Sequence, residues 1–414
     1  MITIAIAGKP NSGKSTFFKA STLADVEIAS YPFTTISPNV GIAYARVKCT
    51  CKDKEIQQEI GRGCGNCIEG FRFVPVELID VAGLVRGAHE GKGLGNEFLD
   101  ELRRAEAIIH VVDASGGTDA DGNVVEIGGH DPLEDVLFFQ EELKMWVKGI
   151  ISRNRRKLER KAELEDAKIA RLLSEQLAGV GVTEEQVKAA ISESLVSDKP
   201  NMKSWKEDDL EDLASHLIKK SKRMIIGANK ADIAPEANIR MLKELEGEGE
   251  GEGEGEGEGK EEAVVIPCSA EAELALRTAA KNEFIKYLPG DTDFEIAHEI
   301  TEKQRKGLER IRKLIQDYGG TGVQDIINRV VFDLLDYVVA YPVEDEHKFS
   351  DAAGRILPDV FLLKNGSTAR DLAFSIHSDI GKGFLYAIDA RTKRRLGEKY
   401  ALRNNDVIKV VYTR

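Results

Sequence analysis

Gly8-Lys9-Pro10-Asn11-Ser12-Gly13-Lys14-Ser15-Thr16 has the spacing G-x-x-x-x-G-K-[ST], which suits a loop wrapped around nucleotide phosphates. Lys14 is expected to reach the terminal phosphates and the Ser15 hydroxyl to ligate magnesium. Asn11, Ser12, Gly13 and Thr16 complete the cradle, and Gly8 and Gly13 carry no side chain to block the approach. Tyr31-Pro32-Phe33-Thr34-Thr35-Ile36-Ser37-Pro38-Asn39 reads as an ordered loop, because two prolines bracket two threonines. Thr35 is the residue expected to offer a hydroxyl to magnesium and an N–H to the γ-phosphate, loosening after hydrolysis. A plain turn is the competing reading of that loop. Val74-Pro75-Val76-Glu77-Leu78-Ile79-Asp80-Val81-Ala82-Gly83 then delivers a carboxylate, Asp80, that can hold magnesium through water. Gly83 lets the backbone come close to the γ-phosphate. Lys14, Thr35 and Gly83 are the expected catalytic groups. Asn229-Lys230-Ala231-Asp232 can read a base: a carboxylate accepts two parallel N–H bonds from guanine, and adenine offers no such pair.

These residues need strands to present them. Ile2–Ala7 is an apolar run of buried-strand length, and Ser15 to Ala24 continues as a helix, so free N–H groups converge on an anion at a helix start. Further strands are expected at 107–114, 223–228 and 263–266. After the third motif, Gly87, Gly91, Gly93 and Gly95 make a mobile stretch, and Asn96 to Ala105 resumes as a helix. Residues 116–131 form a loop rich in glycine and aspartate. From Leu133, the residues Val136, Phe139, Leu143, Val147, Ile150 and Ile151 fall on one helical face. Helical signals persist to Lys220, far longer than one crossover needs, so a helical insertion of about 85 residues is expected, with a coiled-coil hairpin as one form of it. Its basic run Arg153, Arg155, Arg156, Lys157, Arg160 and Lys161 is either an interaction face or a solvated face with ion pairs.

The chain has 414 residues, enough for about two or three domains, and its 42% hydrophobic content can fill their cores. No apolar run approaches membrane-spanning length, and no leader precedes the first strand, so a cytoplasmic protein without membrane partners is expected. A net charge of −13 argues against wholesale nucleic-acid coating and against DNA as a partner. Glu246 to Gly259 alternates Glu and Gly with no apolar residue and is expected to be a disordered loop. Beyond Tyr341-Pro342 the pattern turns to short strands with one helix at Thr368–His377. Lys382, Arg391, Lys393, Arg394, Arg395, Lys399, Arg403 and Lys409 gather there as a possible phosphate-binding surface, with plain domain packing as the alternative.

The order of these motifs, closed by Pro267-Cys268-Ser269-Ala270, resembles a translation-factor-class GTPase. Ser269 and Ala270 match the last guanine-contacting loop, and Cys268 is expected to pack. Tyr31-Pro32-Phe33-Thr34-Thr35, Asp80-Val81-Ala82-Gly83-Leu84-Val85 and Gly93-Leu94-Gly95-Asn96 are similar to the Obg superfamily. The insertion before the base reader, with Leu357-Pro358-Asp359-Val360, Ile376-His377-Ser378-Asp379 and Gly381-Lys382-Gly383-Phe384, resembles its YchF-like branch. The resemblance implies an α/β P-loop G domain with a mostly parallel sheet, a helical insertion and a C-terminal β-grasp (TGS) domain. The expected boundaries are 1–132 and 222–290 for the G domain, 133–221 for the insertion, 291–340 for a helical connector and 341–414 for TGS. It also implies a slow GTP-to-GDP switch on ribosomes or RNA.

Two departures matter. YchF proper has a degenerate base reader and prefers ATP, whereas the intact Asn229-Lys230-Ala231-Asp232 favours GTP. Leu84 stands where many GTPases carry a water-orienting glutamine, which keeps open a nucleotide-gated binding module with negligible turnover. Asn11 matches the asparagine that holds potassium in related GTPases, so potassium-stimulated hydrolysis is expected. His89 and His130 are either hydrolytic helpers or solvated histidines. Four of the five cysteines, Cys49-x-Cys51 and Cys64-x-x-Cys67, have the spacing of a tetrathiolate zinc site, with four reduced unliganded thiols as the alternative.

Overall fold

The structure is a computed structural model, and it describes every residue except 24–38, 62, 85–86, 89–100, 166–167, 247–262 and 414. The Thr34-Thr35 loop, His89, Gly91, Gly93, Gly95, the start of the helix expected at Asn96 and the Glu-Gly repeat therefore lie outside the described residues. The chain divides into two compact units. One takes in Met1–Leu23 and Glu77–Ile326, with residues 39–43; the other takes in Tyr44–Val76 and Ile327–Arg414.

In the first unit, β1 (Thr3–Ala7), β4 (Ala107–Asp113), β5 (Arg223–Asn229) and β6 (Val264–Pro267) are apolar, short and almost wholly buried. Such continuous hydrophobic runs belong to parallel strands covered on both faces. With β2 (Val40–Lys48) and β3 (Phe71–Asp80), they form a six-stranded sheet in the order β2-β3-β1-β4-β5-β6. The pairs β1–β3, β1–β4, β4–β5 and β5–β6 are all parallel. The P-loop follows β1 and runs into α1 (Lys14–Thr22).

The long helix is α3 (Pro132–Glu165), numbered after α2 (Lys54–Ile60) of the second unit. Its periodic face, Val136, Phe139, Leu143, Val147, Ile150 and Ile151, is buried throughout. Most of that face shares one core with Ala5, Ile79 and Ile108 of the sheet and with α4 (Ile169–Leu177), α5 (Glu184–Glu193) and α6 (Glu207–Ser221). The insertion is thus a bundle whose hydrophobic interior is continuous with that of the sheet. Toward the β5–β6 end of the sheet, Ile239 and Leu242 of α7 (Glu236–Glu244), Ala272 of α8 (Ala270–Lys281) and Leu314 of α9 (Glu302–Tyr318) pack with Ile226, Ala228 and Val265 in a second core, which Val136 of α3 also joins.

The second unit holds α10 (Val323–Arg329) in part and a five-stranded sheet. With the two-residue strands β7 (Ile285–Lys286) and β8 (Glu295–Ile296) paired in the first unit, that sheet is built from β9 to β13. These are β9 (Tyr337–Val343), β10 (Phe361–Lys364), β11 (Phe384–Asp389), β12 (Arg395–Leu396) and β13 (Asp406–Tyr412), in the order β10-β9-β13-β11-β12. β9 and β13 are parallel and the other pairs antiparallel, with α11 (Ala369–Ile376) packed through Ala369 and Leu372, the arrangement of a TGS β-grasp. β9 is already under way at Tyr337, ahead of the change of pattern expected after Pro342. Proline normally marks a strand edge or end. Pro342 lies beyond the four residues that pair with β10, so its missing N–H breaks no bond on that side. Among the described residues, no helix is long and apolar enough to cross a membrane.

Candidate nucleotide-binding site

Five loops at the ends of strands β1, β3, β4, β5 and β6 build the site. After β1, Gly13 turns the chain into α1 at φ 99°, and a Cβ there would collide with the Asn229 side-chain amide. Gly8 is equally constrained, since a Cβ would strike the Val111 carbonyl oxygen. Only glycine suits both points.

Asn229, at the end of β5, ties two of the predicted loops together. Its Nδ2 donates to the Ser12 carbonyl at 2.9 Å, and its Oδ1 accepts the Ala270 N–H at 3.0 Å. Ser269 caps α8 by accepting from the Ala272 N–H at 3.2 Å, so the base-side loop is itself a helix start. Lys230 donates to the Asn11 carbonyl at 3.1 Å and to Asp113 Oδ2 at 2.7 Å. Gly13, Thr16, Lys230, Asp232 and Ser269 line one concavity, together with Ile233, which the sequence did not single out. Residues from three distant segments are therefore brought together as expected, with Asp232 exposed in that concavity.

At the phosphate end, the Lys14 ammonium donates to the Lys9 carbonyl at 2.8 Å. Burial drives its pKa down to about 8, against the opposing pull of the Asp80 carboxylate. Asp80 is in turn pushed upward by burial, partly offset by a hydrogen bond from Ser15 and by Lys14. One of its oxygens, Oδ1, is buried with no hydrogen-bond partner. An unsatisfied buried carboxylate oxygen beside a serine hydroxyl is the chemistry a divalent cation requires, so this pair fits magnesium. Gly83 lies against Pro10, where a Cβ would stand 3.1 Å from its Cγ. Leu84 donates its N–H to the Gly8 carbonyl at 3.1 Å and is buried in the core.

The loop after β4 contributes residues that motif reading missed. Asp113 ends β4 as Asp80 ends β3, which was the available signal. Burial pushes its carboxyl up, but hydrogen bonds from Lys230, Ser115 and Thr118 outweigh that and hold it low. The loop then closes on the P-loop: Lys9 Nζ donates to the Thr118 carbonyl at 2.8 Å, and Asn11 Nδ2 to the Gly122 carbonyl at 2.9 Å. Lys9 also pairs with Asp135 at 2.8 Å, and His130 Nε2 meets the other oxygen of that carboxylate at 2.8 Å. His130 is thus held in an ion-pair network and is not the solvated histidine expected. His110, stacked on Phe139 with ring centroids 4.2 Å apart, is kept neutral by burial and the Lys14 charge, its pKa down to about 3.

The basic C-terminal set is only partly available for phosphates. Arg391 pairs with Asp53 at 2.6 Å, Lys393 with Glu59 at 3.0 Å and Lys409 with Glu346 at 2.6 Å, while Lys382, Arg394, Arg395, Lys399 and Arg403 are exposed. On α3, Arg155 pairs with Glu159 and bonds the Trp205 carbonyl, leaving Arg153, Arg156, Lys157 and Arg160 exposed. Cys268 is buried, as its packing role requires. The four remaining cysteines meet within the second unit, their sulfurs all within 4.8 Å of one another.

Three families match this chain: a 50S ribosome-binding GTPase over residues 3–139, an Obg-like GTPase YGR210-like, G4 motif-containing domain over 227–345, and a TGS domain over 354–412. The uncharacterized GTP-binding protein MJ1332 of Methanocaldococcus jannaschii is 49% identical over 418 residues, covering 99% of each chain. The ribosome-binding ATPase YchF of Bacillus subtilis is 32% identical, covering 98% of each. The crystal structure of a GTP-binding protein from Pyrococcus horikoshii OT3 covers 100% of both chains at 40% identity, with a TM-score of 0.74. The Schizosaccharomyces pombe YchF GTPase shares the fold at 19% identity and a TM-score of 0.57, over 99% of this chain and 97% of that one.

Proposed function

The chain belongs to the YchF-like branch of the Obg family of P-loop GTP-binding proteins, and on that footing we propose a magnesium-dependent switch that prefers GTP to ATP, hydrolyses it slowly to GDP and phosphate, and docks on ribosomes or RNA. The observation that carries this reading is Asn229, whose one side chain fastens the phosphate loop at Ser12 to the base loop at Ala270. Asp232, exposed in the same concavity, offers two acceptor oxygens that match the guanine N1–H and 2-amino group. Its YchF relative in Bacillus subtilis carries the name ATPase, whereas the Methanocaldococcus protein is named GTP-binding; the intact Asn229-Lys230-Ala231-Asp232 favours the second.

Lys14 would neutralise charge on the terminal phosphates, and the Gly83 N–H would hold the γ-phosphate. Ser15 and Asp80, with Thr35 as the sequence suggests, would hold magnesium, which would supply Lewis-acid stabilisation of the phosphate oxygens. Asn11 spends its amide nitrogen on Gly122, which leaves its oxygen as the group to receive potassium. Turnover equal in sodium and potassium would remove that part.

A second reading rests on Leu84. Its side chain is only 2% exposed and apolar, so it cannot orient water, and the protein is then a nucleotide-gated binding module. Single-turnover phosphate release from GTP and ATP, with and without ribosomes, separates the two. The switch releases phosphate from GTP and speeds up on ribosomes. Silence in every condition leaves the binding module.

A further inference from the structure

We propose that Cys49, Cys51, Cys64 and Cys67 hold one zinc ion as a closed structural tetrathiolate. Cys49 precedes and Cys51 lies within a short 3-10 turn (Thr50–Lys52) after β2, while Cys64 and Cys67 bracket a bend before β3, so two knuckles face each other. The Cys49–Cys64 and Cys51–Cys67 sulfur separations are both 3.6 Å, and all four sulfurs lie within 4.8 Å of one another. A tetrahedral ion with bonds of about 2.3 Å sets its sulfurs roughly 3.8 Å apart, close to that arrangement. Two disulfides would need only pairwise approach, at about 2.05 Å, and no reason for the pairs to converge. Iron–sulfur clusters distribute their thiolates over several metal atoms and need a wider cage.

The charge around the cluster points the same way. Arg72 is 5% exposed, and its guanidinium donates to Cys49 Sγ and to Cys64 Sγ, both at 3.4 Å, and to the Leu357 carbonyl. A buried cation is stable when it meets compensating negative charge. Neutral thiols offer little, whereas a zinc tetrathiolate carries two negative charges that Arg72 partly cancels. N–H···S bonds of this kind orient and tune the thiolates around a metal. Cys49, Cys51 and Cys64 are at most 3% exposed, which leaves no open position for substrate or water. The surroundings explain what the ion would hold in place. Asn66 donates to the Pro358 carbonyl at 2.7 Å, and the cysteines share a core with Tyr341, Phe349 and Leu357, so the knuckle anchors the start of the C-terminal sheet.

The test is the metal and thiol content of the full chain purified without chelator or reductant. We expect one zinc per chain, and five alkylated cysteines after denaturation with chelator, because no disulfide is present. Cys268→Ser should keep the full zinc stoichiometry and Cys67→Ser should lose it. Should Cys67→Ser fail to fold, Arg72→Gln keeps the four ligands, and its zinc affinity is expected to fall about 10- to 100-fold. Overturning results are five free thiols without metal, a mass lower by one or two disulfides, or iron in place of zinc.

Discussion

Lys14 has the most informative chemistry of any single residue here, because the fold buries a cation before any anion arrives. Its pKa of about 8 lies below the ordinary 10.5, so the nucleotide-free protein binds fewer protons than the unfolded chain between those values. Stability of the nucleotide-free protein should therefore rise as pH climbs from about 8 to 10.5, by on the order of 3 kcal/mol at most. Denaturant midpoints at both ends of that window check this, and Lys14→Met should remove the Lys14 share of the rise while leaving that of Lys222, whose pKa burial also lowers to about 8. A bound triphosphate restores the positive charge, so binding at pH 9 should take up nearly one proton, measurable by calorimetry in buffers of different ionisation enthalpy. Lys14→Met should also weaken triphosphate binding roughly 10- to 100-fold, the worth of one charged hydrogen bond. Motif spacing revealed Lys14, Asp80 and Asp232, since each sits at a fixed offset from a strand end. Lys9, Asp113 and Asp135 escaped because the ion pairs Lys9–Asp135 and Lys230–Asp113 join residues far apart in the sequence, and no spacing rule encodes such pairs.

Among elements, the loops at the strand ends matter more than the strands. The helix α3 was legible from its apolar periodicity, whereas the capping boxes at Thr301 and Thr368 emerge only in the structure. The clamp of residues 116–131 on the P-loop was not legible, because it is made through backbone carbonyls at Thr118 and Gly122 that any sequence would supply. The early start of β9 was hidden by Pro342, a strand breaker tolerated because it faces no partner on the β10 side, although it lies in register with Ile408 of β13. Gly8→Ala forces Val111 away from the P-loop, so nucleotide affinity should fall by an order of magnitude or more while the sheet persists by circular dichroism. Asn229→Ala removes both clamps at once and leaves the Ser12 carbonyl and the Ala270 N–H unpaired. A loss of about 1–3 kcal/mol in stability is expected, read from denaturant titration.

For the whole molecule, the phosphate and base motifs and the TGS pattern were legible in the sequence, whereas the grouping of Tyr44–Val76 with Ile327–Arg414 was not, because no motif in that stretch signals it. The docking surface is less legible, because a run of basic residues does not reveal which are already paired. Arg153, Arg156, Lys157 and Arg160 are the exposed set on α3. Replacing these four with Glu should reduce ribosome co-sedimentation in the GTP-analogue state without changing nucleotide affinity. The central claim, that this fold encloses a guanine nucleotide, is tested most directly by competition between GTP, ATP and xanthosine triphosphate for the wild type and Asp232→Asn. An asparagine offers one acceptor and one donor, which match the N1–H and C2 carbonyl of xanthine in place of the two donors of guanine. The account predicts that GTP displaces ATP at least about 100-fold more effectively on the wild type, and that Asp232→Asn shifts the preference to the xanthine nucleotide. Equal binding of GTP and ATP by the wild type, or an unchanged GTP preference in the variant, would contradict it.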